Sequence, residues 1–204
     1  MRQELVYTEE YKGYIIKIIP SDGSDNSPRD DDNFGTMVCF HNRYTLGDDI
    51  PKKLGFTVDI DELKEIIQRK DVVALPIYMY DHSGIGISTS NSRYPFNCPW
   101  DSGQIGYIYA TYEDIRKNWS GKRVTKKMLD RVLEILQSEV NVYNDYLTGN
   151  VYGYVVEDKE GNHLDSCWGY IGDYDAKEGP LDCAKDIVNF WISEEEKINK
   201  IMVL

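Results

Sequence analysis

The sequence predicts an α+β fold in which three substantial helices pack on a mostly antiparallel sheet. Three observations indicate this class: apolar stripes with helical spacing recur along the chain, short strand-like runs lie between them, and two of these runs flank a glycine-bearing turn. The 204 residues suffice for one domain with a sizeable core, so we expect a single domain over residues 1–204.

The first third of the chain contains two strand candidates and one helix candidate. Residues 11–19 (YKGYIIKII) and 35–41 (GTMVCFH) are rich in β-branched and aromatic side chains and predict strands. Residues 20–33 are polar and predict a loop, and residues 42–58 are expected to be irregular. Residues 59–70 predict an amphipathic helix with charges that suit the helix dipole. Its apolar face is formed by Ile60, Leu63, Ile66 and Ile67.

The middle of the chain holds its most apolar strand candidate, residues 72–80 (VVALPIYMY). A run that is apolar on both faces is typical of a central strand. Pro76 cannot donate to a strand ladder and therefore predicts a bulge or an edge segment. Residues 85–90 predict a short strand that pairs back, and residues 104–110 (QIGYIYA) predict another strand.

Two threonines mark the starts of the next helices. Thr111 is suited to cap a short helix over residues 112–119, which Gly121 is expected to end. Thr125 is suited to cap the longest helix, which runs to about Leu147. Its apolar stripe is formed by Leu129, Val132, Leu133, Leu136, Val140, Tyr143 and Leu147.

The last quarter predicts a hairpin followed by a helix. Residues 151–157 and 163–171 flank the turn Asp158-Lys159-Glu160-Gly161, which favours a hairpin. Pro180 is suited to open the final helix. Its apolar stripe is formed by Leu181, Ala184, Ile187, Val188 and Trp191, and we expect it to continue to Ile198 and Met202.

Composition limits the classes of partner. The net charge is −12 and the isoelectric point is about 4.7, so we expect no direct binding to nucleic acid or to an anionic membrane. No signal peptide and no apolar run of spanning length is present, which favours a cytoplasmic location with reduced thiols. No C-x-x-C pair occurs among Cys39, Cys98, Cys167 and Cys183, and we expect neither a cofactor nor a metal.

Two short segments offer candidate catalytic residues. Asp81 and His82 follow the central strand candidate, and Cys98 and Asp101 lie in a turn before the next strand. Cys98 is a possible nucleophile with His82 or His41 as its base, and the same residue types are suitable metal ligands, although no spacing defines a ligand set. The Asp101-Ser102-Gly103 triplet matches the core of an aspartic protease site, but that chemistry needs a second such triplet, which is absent.

These segments also have a purely structural interpretation. Asp81 and Ser83 are suited to bond the backbone of a turn. The second segment is equally consistent with a tight loop that holds Trp100 in the core. The residues alone therefore leave the catalytic and structural interpretations open.

Acidic residues offer candidates for partner binding. Residues 151–204 hold twelve acidic and five basic residues, so most of the net charge lies there. Rows of carboxylates can imitate nucleic-acid phosphates and occupy a basic groove of a protein, although such residues also serve solubility. The candidate partner-binding residues are Asp30, Asp31, Asp32, Asp173, Asp175, Glu178, Glu194, Glu195 and Glu196.

Several runs also carry a family resemblance, of which CPWDSGQ is the most specific. They are FGTMVCFHNRYTLGD (34–48), LPIYMYDHSGIGIST (75–89), CPWDSGQIGYIY (98–109), YLTGNVYGYVVED (146–158) and DSCWGYIGDYD (165–175). The combination resembles a family of small proteins from bacteriophages and mobile elements, from which this chain departs by a polar insertion at residues 90–97. The resemblance implies a phage-type accessory protein in the bacterial cytoplasm, and it assigns no catalytic residue.

Three hypotheses about function follow. The first is a non-enzymatic acidic inhibitor of a host nucleic-acid-directed defence system, which binds a host protein with a basic surface. The alternative is a small cysteine- or metal-dependent hydrolase that uses Asp81, His82, Cys98 and Asp101. The third is a structural or regulatory protein that self-associates through its apolar strands.

Overall fold

The computed structural model describes residues 5–23, 25–90, 95–96, 98, 100–120 and 123–202, with side chains to residue 198. Most of the insertion at residues 90–97, the helix end expected at Gly121 and the side chain of Met202 lie outside this description. Within it, two four-stranded antiparallel sheets and five helices confirm the α+β class.

The elements follow the chain in this order. The strands are β1 (Tyr7–Tyr11), β2 (Tyr14–Pro20), β3 (Thr36–Cys39), β4 (Val72–Asp81), β5 (Ile85–Thr89), β6 (Ser102–Thr111), β7 (Val151–Glu157) and β8 (His163–Ile171). The helices are α1 (Ile50–Leu54), α2 (Ile60–Gln68), α3 (Tyr112–Trp119), α4 (Lys126–Leu147) and α5 (Pro180–Met202). The chain divides into two compact units, Met1–Asp25 with Gly149–Leu204 and Asn26–Thr148. The single domain expected over residues 1–204 stays a prediction.

The first unit is a sheet covered on one face by α5. Its strand order is β1-β2-β7-β8. The strand predicted over residues 11–19 is observed as β2, but its predicted start is wrong, because Lys12 and Gly13 form a two-residue turn with φ values of 52° and 87°. Positive φ at both positions is typical of the tight turn that joins hairpin strands. The buried core of this unit consists of Ile16, Ile18, Tyr154, Val156, Ala184 and Val188.

The second unit is a sheet covered on both faces, which explains why β4 is apolar on both sides. Its strand order is β3-β6-β4-β5. The α4 face buries Leu136 and Ile108, whereas Leu63 of α2 packs with Val38 and Tyr109.

The predicted capping threonines at the starts of α3 and α4 are confirmed, since each side chain accepts a hydrogen bond from a helical backbone N–H.

Pro76 occupies a position in β4 where its missing donor is tolerated. The pairing of β4 with β5 begins only at Ile77, and the β4–β6 register shifts between Ile77 and Tyr78. This irregularity agrees with the predicted bulge.

A short helix, α1, lies within the segment expected to be irregular, where Asp49 caps it and Pro51 occupies its first turn.

Candidate functional site

A polar cleft lies where β4 ends and β6 begins, in the second unit. This strand-end cleft has a volume of about 390 Å³, and its lining includes His41, Arg43, Asp81, Trp100 and Asp101. The backbone N–H of Asp81 donates to the carbonyl oxygen of Asp101 at 2.8 Å, so the two residues face each other across adjacent strands. Residues directly opposite each other on antiparallel strands present their side chains on the same face. The sheet therefore brings two carboxylates to one cleft.

Residues that follow β3 complete the cleft. The guanidinium of Arg43 forms an ion pair with the Asp81 carboxylate. The ring of His41 stacks on Tyr44 with centroids 5.1 Å apart, and its Nδ1 accepts a hydrogen bond from the Arg43 backbone N–H at 3.3 Å. Three of the runs that carry the family resemblance, residues 34–48, 75–89 and 98–109, thus contribute to one cleft.

The structure brings together only part of the predicted hydrolase set. Asp81 and Asp101 line the strand-end cleft, but His82 and Cys98 are not among its lining residues. The His82 ring stacks on Tyr80, with centroids 6.0 Å apart, and its Nδ1 lies 3.2 Å from Ser83 Oγ. Cys98 Sγ donates to Asp101 Oδ2 at 3.3 Å. The recorded partner of this thiol is therefore a carboxylate, whereas a cysteine nucleophile needs a base such as imidazole.

The histidine at the strand-end cleft is His41 and not His82. His41, which was named only as an alternative base, lines the cleft, whereas His82 does not. Within the described part of the chain, no group of three or more His, Cys, Asp or Glu residues could hold a metal ion.

Trp100 is not in the core. Its side chain is 92% exposed, which contradicts the interpretation of its loop as a device that buries the indole. The segment that contains it is rich in turn-forming residues, and loops of this kind lie on the surface. The cleft therefore has an accessible aromatic face next to its carboxylates.

A second concave feature lies in the first unit. This α5 groove has a volume of about 590 Å³ and is bounded by the β1–β2 turn, the β7–β8 turn and the C-terminal half of α5. Apolar side chains line it together with an excess of carboxylates over lysines. The apolar lining residues are Leu164, Trp191, Ile192 and Ile198, and the charged ones are Lys12, Asp158, Lys159, Glu160, Glu194 and Glu195.

Hydrogen bonds fix two of the groove's carboxylates. The Tyr14 hydroxyl donates to Glu195 Oε1 at 3.0 Å. Burial, and after it the Glu195 carboxylate, raises the pKa of Tyr14, so the phenol stays a donor. The side-chain amide and backbone N–H of Asn162 both donate to Asp158, at 2.7 Å, and lower the pKa of that carboxyl.

The predicted partner-binding carboxylates fall into two groups. Asp30, Asp31 and Asp32 are exposed in the second unit, and the other six belong to the first. Of those six, Glu194 and Glu195 line the α5 groove.

The structure also reveals a buried ionic cluster around Arg29, which lies in the predicted polar loop. The side chain of Arg29 is 2% exposed and contacts the carboxylates of Asp48 and Glu139 at 2.6 and 2.9 Å. Its Nη2 donates to the carbonyl oxygen of Gly35 at 2.9 Å, and Lys53 adds a second cation 2.7 Å from Asp48. A buried arginine in an acidic loop cannot be distinguished from a solvated one by hydrophobic periodicity. No sequence pattern therefore predicts this cluster.

Thiol chemistry gives a test of the local environments. Burial, with a smaller contribution from the Asp48 carboxylate, raises the pKa of the Cys39 thiol to about 12. A shift of this size leaves roughly a thousand-fold less thiolate than an ordinary thiol near neutral pH. We therefore expect iodoacetamide to alkylate the exposed Cys167 well before Cys39, as measured by mass spectrometry of quenched digests. Urea-unfolded protein is the control, and equal native rates at the two thiols would contradict the raised pKa of Cys39.

Comparisons with known proteins provide no further assignment. No protein-family model matches the chain, and neither a curated protein nor a solved structure is significantly similar to it. Among the described residues, no helix is both long and apolar enough to cross a bilayer.

Proposed function

We propose that the protein is a non-enzymatic accessory protein that binds a partner with a basic surface, and that the α5 groove is its principal docking site. One observation carries this proposal: the groove combines an apolar lining with four carboxylates and two lysines. The apolar residues supply desolvated contact area, and the carboxylates supply orientation and a fast association rate.

The exposure of one apolar residue in the groove supports docking. Ile198, one of its lining residues, is 55% exposed although it lies on a long amphipathic helix. An exposed apolar residue bordered by charges is typical of an interaction surface when it belongs to a concave patch. The excess of carboxylates selects a basic segment as the occupant and disfavours an acidic one.

Two features favour a particular kind of partner. The resemblance to bacteriophage and mobile-element proteins favours a host protein in the bacterial cytoplasm. Carboxylates that imitate phosphates favour a target that normally binds nucleic acid, so the finer proposal is an inhibitor of a nucleic-acid-directed defence system.

The alternative of a cysteine- or metal-dependent hydrolase has less support, because His82 and Cys98 are not among the residues that line the cleft with Asp81 and Asp101.

Charge-neutral substitutions in the groove test the proposal. We expect Glu194→Gln combined with Glu195→Gln to reduce capture of the partner from bacterial lysate by about ten-fold at low salt, mainly through Glu195, because Glu194 already pairs with Lys197 at 2.6 Å. The matched control combines Asp130→Asn with Glu134→Gln, which removes the same charge from exposed positions of α4. Capture is quantified by mass spectrometry against immobilised wild-type protein.

A third variant tests the apolar lining. Ile198→Ser removes exposed apolar area without a change in charge, and we expect it to weaken capture at both low and high salt. If the groove variants and the α4 control capture the same proteins equally well, the groove is not the docking site. A partner that competing nucleic acid fails to displace would contradict the finer proposal of phosphate imitation.

A further inference from the structure

We propose that the strand-end cleft of the second unit binds an arginine side chain, with the guanidinium stacked on Trp100 and bonded to Asp101. This inference rests on the proposed function, because it names the chemical group that a basic partner would present. It concerns a site separate from the α5 groove, and none of the groove's residues contributes to it.

Trp100 supplies the first half of the recognition. Its side chain is 92% exposed and lines a cleft that is otherwise mostly polar. An indole face attracts a cation through its quadrupole, and tryptophan does so better than tyrosine or phenylalanine. An exposed indole beside carboxylates therefore favours a cationic ligand over an apolar one.

Asp101 supplies the second half. Arg43 already pairs with Asp81 across the cleft, so the charge of that carboxylate is compensated. Among the described residues, no lysine or arginine lies within ion-pair distance of Asp101, and the Cys98 thiol contacts only its Oδ2. The charged lining residues Arg43, Asp81 and Asp101 sum to one net negative charge, which disfavours phosphate and other anions.

The geometry favours arginine over lysine. A guanidinium is planar, so it can lie flat on an indole while its edge donates two parallel hydrogen bonds to a carboxylate. The ammonium of lysine is a compact and strongly hydrated charge that satisfies only one of these contacts well at a time. The additional amides of Asn42 and Gln104 at the cleft can orient the backbone that carries the side chain.

Titration with a small probe tests the site on the protein alone. The probe is N-acetyl-L-arginine methylamide, followed through the indole N–H resonance of Trp100, which is assigned from its loss in Trp100→Ala. We expect saturable binding with a Kd of about 1–10 mM, which is appropriate to a single side chain. The neutral isostere N-acetyl-L-citrulline methylamide is expected to bind at least about ten-fold more weakly, because its hydrogen-bond donor group is uncharged.

Variants separate stacking from charge. Asp101→Asn is expected to weaken the arginine probe by about ten-fold and to leave the citrulline probe nearly unchanged. Asp130→Asn, on α4 and outside the cleft, is the matched control and is expected to change neither. Because Trp100 is almost fully exposed, its replacement by alanine is expected to preserve the fold while it weakens the arginine probe about three-fold, followed through backbone amide shifts.

Three results would overturn the inference: no shift of the Trp100 resonance at about 50 mM probe, equal binding of the citrulline probe, or equal binding of N-acetyl-L-lysine methylamide, the corresponding lysine probe. None of them bears on capture through the α5 groove. Conversely, a groove variant that captures its partner normally would refute the docking proposal even if the arginine probe binds as expected. The two failures are therefore distinguishable.

Discussion

Replacing Arg29 with methionine is expected to lower the free energy of unfolding of the second unit by about 3 kcal/mol. The arginine satisfies two carboxylates that water barely reaches, since the side chains of Asp48 and Glu139 are 2% and 14% exposed. Methionine fills a similar volume, so the loss measures the uncompensated charge and not a cavity. The expected cost lies at the low end for a broken buried ion pair because Lys53 still contacts Asp48.

The cluster also determines the path of the backbone around it. Glu139 Oε1 accepts a hydrogen bond from the Phe34 N–H at 2.8 Å, and Asp48 Oδ2 accepts one from the Met37 N–H at 2.9 Å. Loss of Arg29 therefore weakens the approach to β3 as well as the charge balance. Urea titration gives the free energy of unfolding, and hydrogen exchange of the β6 amides reports on this unit specifically.

An exposed arginine provides the matched control for this prediction. Arg131 pairs with Glu134 on the surface of α4, and both side chains are about two-thirds exposed. Arg131→Met is expected to cost no more than about 0.5 kcal/mol, because exposed pairs are screened by water. A cost for Arg29→Met as small as that of the control would show that the ionic cluster does not stabilise the fold.

Replacing Leu136 with alanine is expected to cost about 3 kcal/mol, the second large effect. Leu136 has no exposed surface and packs against Ile108 of β6 at the centre of the larger core. Gly35 approaches so closely that a Cβ there would overlap both side chains. The walls of the resulting cavity include the backbone of Gly35, directly before β3, and backbone relaxes little, so the full cavity cost is expected.

The control for this core prediction lies on the same helix. Val142 is 39% exposed, and Val142→Ala is expected to change the free energy of unfolding by less than about 0.5 kcal/mol. Both variants are measured by urea titration with a common m-value. If Leu136→Ala behaves like the surface variant, the packing of α4 on β6 described above is wrong.

Hydrophobic periodicity predicted most of the fold. The stripe on α4 places Val132, Leu136 and Val140 in the core, because residues separated by three or four positions share one helical face. The two helices that begin at capping threonines were equally predictable. Periodicity and capping residues therefore suffice to predict a helix that buries one regular face.

The missed elements depended on information that periodicity does not carry. In the β1–β2 turn, Lys12 has a positive φ. This conformation is uncommon for residues other than glycine, so the sequence pattern does not predict it. Helix α1 is five residues long, too short for an apolar stripe to repeat. Short turns and single-turn helices are therefore where the expected and observed elements differ.

The candidate sites were predictable only in part. The strand ends predicted that Asp81 and Asp101 would lie near the same edge, and the register of β4 with β6 accounts for their common cleft. The exposure of Trp100 and the burial of Arg29 depend on tertiary packing, which residue type alone does not reveal. The α5 groove joins three segments distant in sequence, so only the fold could assemble it.

The central claim, that carboxylates of the α5 groove dock a basic partner, is tested most directly by the salt dependence of that complex. The measurement is the Kd of the captured partner between about 0.05 M and about 0.5 M NaCl, for wild-type protein and for the Glu194→Gln, Glu195→Gln variant. We expect wild-type affinity to fall by at least about ten-fold over this range, and the variant to show a weaker Kd with a shallower slope. A Kd that is insensitive to salt, or an identical slope for the variant, would contradict the account.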